Sequence, residues 1–97
     1  MGIFDNLKQL SQLRQQASQF QKLLASKVVE VVSRNNEMKL KINGKMEILN
    51  IEIDEKILKP ENKNYIEKLI KKTFEEAQKE IEKIVAQEIK STMGFPF

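Results

Sequence analysis

Leu40–Asp54, LKINGKMEILNIEID, alternates apolar and charged residues on both sides of an Asn43-Gly44 turn signal. That is the pattern of two antiparallel strands joined by a tight turn. Parity chooses the register. A two-residue loop of Asn43 and Gly44 would set Lys41 opposite Met46 and Leu40 opposite Glu47, mixing charge into an apolar face, because directly opposed residues share a face. A three-residue loop, Ile42 to Gly44, instead pairs Leu40 with Met46, Lys39 with Glu47 and Met38 with Ile48. Gly44 then takes the left-handed position of a bulged turn, which glycine tolerates best. This register is the expected one. It makes Lys39 and Lys41 a solvated, partly neutralised face rather than a polyanion grip, since an exposed ion pair contributes at most about 1 kcal/mol.

Upstream, KVVEVVS (Lys27–Ser33) is β-branched and RNN (Arg34–Asn36) is turn chemistry. A second strand then runs from about Glu37 to Ile42 and a third from Lys45 to Ile53, completing a three-stranded antiparallel meander. One feature resists a simple meander. Met46 and Ile48 share one face, whereas Leu49, Ile51 and Ile53 share the other; Val28 and Val32 likewise oppose Val29 and Val31. Either a bulge near Leu49 flips the phase, or part of the sheet is covered on both sides by a partner subunit.

Helices flank the meander. Asp5 is the expected N-cap of a Gln- and Leu-rich helix reaching about Ala25. Its Leu10, Leu13, Ala17, Phe20 and Leu24 form one stripe, widened by Leu7 and Leu23. Pro60 and Glu61 suit the first turn of a second helix. Ile66, Leu69, Ile70, Phe74, Ala77, Ile81, Ile84 and Val85 mark its apolar face to about Lys90. Such a helix is about 45 Å long, more than three short strands cover. The distal half, IEKIVAQEI (Ile81–Ile89), is therefore expected to project into solvent or pack on another chain. STMGFPF ends the helix, leaving Phe95-Pro96-Phe97 as a docking strap or free tail. The expected fold is one α+β domain over 1–97: a helix (1–26), the sheet (27–53), a helical arm (60–91) and a tail (92–97).

Composition excludes several functions. The 97 residues include neither Cys nor His, which removes disulfides, thiol nucleophiles, imidazole bases and Cys- or His-ligated metal sites. The carboxylates are scattered along charged helices, so the chain is not expected to be an enzyme or to take a metal, cofactor or small-molecule substrate. Nothing reads as a secretory signal or membrane span, and Asn6 breaks the myristoylation pattern begun at Gly2. The net charge of +3 sits wholly in residues 1–27, where Lys8, Arg14, Lys22 and Lys27 face one acid, Asp5.

The order of NLKQLSQLRQQASQFQKLL, the ING turn, the strand into IEID, the helix IEKLIKKTFEEAQKEIEKI and the GFPF end resembles the YbaB/EbfC family of small bacterial nucleoid-associated proteins. The resemblance covers nearly the whole chain. It implies a tweezer-shaped homodimer, in the cytoplasm at the nucleoid, whose helical arms bind double-stranded DNA with little sequence preference. Candidate phosphate contacts are then Lys8, Arg14 and Lys22 on the first helix. On the second they are Lys68, Lys72, Lys79, Lys83 and Lys90, with Lys71 on a different face. Glu75, Glu76, Glu80, Glu82 and Glu88 narrow that basic face, and Glu75-Lys79 and Glu76-Lys83 also suit ordinary helix-surface pairing. The alternative is a protein-interaction or chaperone-like adaptor working through Ile84, Val85, Ile89 and Phe95. Membrane-surface binding is weaker than either, because the polar face of the first helix is mostly Gln.

Overall fold

Three short strands form close to their expected places, β1 (Val28–Val32), β2 (Met38–Asn43) and β3 (Ile48–Ile53), the last starting at Ile48 rather than Lys45. They pair antiparallel in the order β1-β2-β3, between α1 (Ile3–Ser26) and α2 (Lys63–Met93). The structure, a computed structural model, describes the backbone of residues 3–93 and the side chains of 6–91. The α+β meander with two flanking helices is thus observed, while the Phe95-Pro96-Phe97 tail lies outside the described residues. α1 begins at Ile3, so Asp5 sits inside its first turn instead of capping it. Pro60 opens a 3-10 turn, Pro60–Asn62, that leads directly into α2.

The hairpin register differs from the expected one. Met38, Lys39 and Leu40 lie opposite Ile53, Glu52 and Ile51, not opposite Ile48, Glu47 and Met46. The cause is the side chain of Asn43. Its Oδ1 accepts from the backbone N–H of Lys45 (2.9 Å) and Glu47 (3.1 Å), and its Nδ2 donates to Glu47 Oε1 (2.9 Å). Asn43 thereby becomes the first residue of the turn, and its carbonyl accepts from Met46 N–H at 2.9 Å. The left-handed residue is Met46 (φ 65°), not Gly44. Continued without interruption, this loop would put Lys41 opposite Leu49 and Leu40 opposite Asn50. A bulge between Ile48 and Asn50 inserts Leu49 and restores apolar-to-apolar pairing. Of the two explanations open for the phase break, the bulge near Leu49 is present.

Gly44 is needed for room. A Cβ there would lie 2.6 Å from Leu24 O, and the Gly44 N–H donates to the carbonyls of Leu24 and Lys27, each at 2.9 Å. Leu24 O is one of the carbonyls at the C-terminal end of α1 that have no partner within the helix; it also accepts from Lys27 N–H at 3.1 Å, and Lys27 lies just past the helix end. The β2–β3 turn therefore docks α1 by its last turn.

α2 packs on β1 and β2. Met38, Leu40 and Ile42 are buried against Thr73, Ala77 and Ile81, with Val29, Val31, Ile53, Leu69, Phe74 and Val85 partly buried around them. Thr73 belongs to this face because its hydroxyl donates to Leu69 O at 2.7 Å, so no bonding group is stranded. The distal half of α2 does not leave the sheet as expected. Ile81 is buried, Ile84 and Val85 are half-buried, and Glu88 pairs with Lys27 just before β1 at 2.9 Å. At the other end Tyr65 reaches Glu37, just before β2. The helix lies lengthwise, which lets a short sheet engage most of it. Large apolar side chains left about half exposed include Leu7, Leu10 and Leu13 on α1 and Ile48, Leu49 and Ile51 on β3, with Val28 and Val32 on β1 and Ile70 on α2 somewhat less so.

Candidate nucleic-acid interface

Burial of one face of α2 dictates what the opposite face presents. At about 100° of turn per residue, Lys68, Lys72, Lys79, Lys83 and Lys90 fall within about 60° of one another, opposite Ala77. All five are exposed. Glu75 and Glu82 flank the stripe on one side, Glu76 and Glu80 on the other, so the acids border the basic face without interrupting it. Lys83 touches Glu80 at 3.5 Å, an exposed contact too weak to hold the ammonium away from another anion. Lys71 lies about 60° outside the stripe, and Lys63 pairs with Glu67 at 3.8 Å.

α1 is arranged differently. Lys8, Arg14 and Lys22 are all exposed, but they do not form one line. Lys8 and Lys22 lie within about 40° of each other, whereas Arg14 lies about 80° or more from both, beside the Leu7 and Leu10 stripe. The segment carrying the chain's whole charge surplus thus spreads it, and the nearly neutral helix concentrates its own.

The hairpin lysines share the exposed sheet face with acids. Lys39 is opposite Glu52, and Lys41 lies between Glu30 and Asn50. The partner of Lys39 differs from the expected Glu47, yet the face remains charge-balanced. Lys39→Ala with Lys41→Ala is therefore expected to change DNA affinity by no more than about threefold, as each exposed pair contributes little. A titration showing a tenfold loss would make the sheet a binding face.

Sequence reasoning missed Arg34. It lies on a turn that meets the start of α2, in a groove of about 250 Å3 it shares with Lys68 and Lys72. Only the RNN string marked this turn, and nothing in its spacing linked it to residues more than thirty positions away. In the same groove Tyr65 donates to Glu37 Oε1, and this hydrogen bond to a carboxylate holds the phenol proton above its usual range.

Among the described residues no cluster of acidic side chains has metal-binding geometry, and no helix is long and apolar enough to cross a membrane. The chain is similar over its length to proteins of several bacteria. A nucleoid-associated protein of Rhodospirillum centenum is 31% identical, with 91% of this chain and 89% of that one covered. One of Mycoplasmopsis pulmonis is 33% identical over 84% of this chain and 80% of its own. The fold matches the crystal structure of an uncharacterized protein from Helicobacter pylori with a TM-score of 0.72 at 16% identity, covering 96% and 98% of the two chains. The model of the YbaB/EbfC DNA-binding family matches residues 1–95, and the chain belongs to that family.

Proposed function

We propose that this protein coats duplex DNA as a homodimer, holding phosphates through the lysine stripe of α2 with little regard to base sequence. The observation that carries this reading is the alignment of Lys68, Lys72, Lys79, Lys83 and Lys90 on the solvent face of a helix whose other face is core. Ammonium groups along a rigid rod match a row of phosphates, and phosphate contacts supply affinity without carrying sequence information. Lys8, Arg14 and Lys22, spread around α1, add further contacts and long-range attraction. Nucleoid association follows from the same chemistry and agrees with the named relatives.

Dimerisation is supported by apolar surface in two places, the α1 stripe at Leu7, Leu10 and Leu13 and the β3 group at Ile48, Leu49 and Ile51. A monomer that leaves so many large side chains half exposed gains by covering them. A second copy offers the same patches, as a twofold contact requires. The adaptor reading loses ground, because Ile84, Val85 and Ile89 are each half-buried rather than displayed.

Titration of several unrelated duplexes across a salt series tests the proposal, with light scattering on the same sample. The expected result is one steep log–log salt slope shared by all duplexes and a mass of two chains. A slope near zero or strong preference for one duplex would reject phosphate coating. A folded particle of 11.3 kDa at micromolar concentration would reject the dimer.

A further inference from the structure

Arg34 sits where the chain takes an unusual conformation. Asn35 and Asn36 both have left-handed backbone, with φ of 65° and 57°, a state that asparagine tolerates better than most residues. Ser33 braces the turn from both directions. Its N–H donates to Met38 O at 2.8 Å, its hydroxyl accepts from Met38 N–H at 2.8 Å, and its carbonyl accepts from Asn36 N–H at 3.1 Å. The result is a short, fixed turn that presents Arg34 to the groove shared with Lys68 and Lys72.

The three cations in this groove are unspent. Among the described residues none of Arg34, Lys68 and Lys72 has a side-chain ion pair or hydrogen bond, although Glu37 and Glu76 line the same groove. Glu37 instead accepts the Tyr65 hydroxyl. Lys27, Lys63 and Lys83, by contrast, each contact a carboxylate. We infer that Arg34 joins Lys68 and Lys72 in a cradle for the DNA sugar-phosphate backbone, extending the binding surface off α2 onto the β1–β2 turn. A guanidinium suits this place because its planar fork takes two phosphate oxygens at once, which an ammonium cannot do. The two lysines hold the neighbouring charge, and Glu37 and Glu76 keep the phosphate on the cationic side of the groove. The inference rests on the α2 reading above.

Anisotropy titration of a labelled duplex at several salt concentrations, with thermal melts of each variant, tests it. Arg34→Gln is expected to weaken binding about tenfold at low salt and to flatten the log–log slope by up to about 0.9. Arg34→Lys is expected to restore the slope but only part of the affinity, because charge returns and the fork does not. Both should melt with the parent, since the guanidinium is exposed and unpaired. Lys79→Gln with Lys83→Gln, which lies beyond the cradle, reports on the α2 stripe alone. If that pair loses affinity while Arg34→Gln keeps the parent's affinity and slope, the cradle is refuted and the stripe stands. If both are silent, the α2 reading fails and the cradle with it. A lowered melting point for Arg34→Gln would make Arg34 a structural residue and overturn the inference.

Discussion

Replacing Lys68, Lys72, Lys79, Lys83 and Lys90 together with Gln should reduce DNA affinity by at least about a hundredfold and flatten the log–log salt slope by up to about 4.5 per protomer, at about 0.9 for each phosphate no longer neutralised. The fold should survive. Every one of these side chains is exposed, and Gln is close to Lys in helix propensity. The change also takes the formal net charge from +3 down by five to −2, so a loss of binding could reflect charge alone. A second variant with the same net charge separates the causes. Lys39, Lys41, Lys45, Lys56 and Lys59 replaced by Gln removes five exposed ammonium groups outside the stripe. That control should lose far less affinity and keep most of its slope. Equal losses in the two variants would show that total charge, and not the alignment on α2, drives binding. Full retention in the α2 variant would pass the role to Lys8, Arg14 and Lys22.

The alignment itself was open to sequence reasoning, because spacings of 4 and 7 along a helix put Lys68, Lys72 and Lys79 on one face whatever packs beneath. The same periodicity located both helices, and β-branched runs located the meander. The failures have a common character. The hairpin register turned on one side chain, Asn43, making three hydrogen bonds within its own loop, and on a bulge that parity located near Leu49 but could not choose over a sheet covered on both sides. α2 stays on the sheet further than length alone implied because it runs along the strands, and a helix-to-sheet angle is set by contacts between distant residues. Arg34 was invisible for the same reason. Its meaning comes from Lys68 and Lys72, which no local pattern associates with it. Local period is readable from neighbours; register, angle and convergence are properties of pairs far apart.

Gly44 is the position where such a distant pair bears most directly on assembly. In the sequence it reads as a turn glycine, but its backbone is not left-handed, and its value lies in the missing side chain. An added methyl would meet Leu24 O at 2.6 Å, Leu24 Cα at 3.1 Å and Leu24 C at 3.2 Å. All three are backbone atoms at the end of α1, so no rotamer change relieves the clash. Moving α1 away would instead weaken the bonds from Gly44 N–H to Leu24 O and Lys27 O. Overpacking and weakened hydrogen bonding together predict that Gly44→Ala costs about 2–4 kcal/mol. In a domain of this size that lowers the melting midpoint by about 10 °C or more. Stability is only the first effect. The turn fixes the direction in which α1 leaves the sheet, and with it the place of Leu7, Leu10 and Leu13, so a displaced α1 should also weaken the proposed dimer. Urea unfolding and light scattering over a dilution series would read the two effects separately. A variant with the parent's unfolding midpoint and the parent's mass at every dilution would mean that α1 yields freely at Leu24, and that its orientation is not set by this packing.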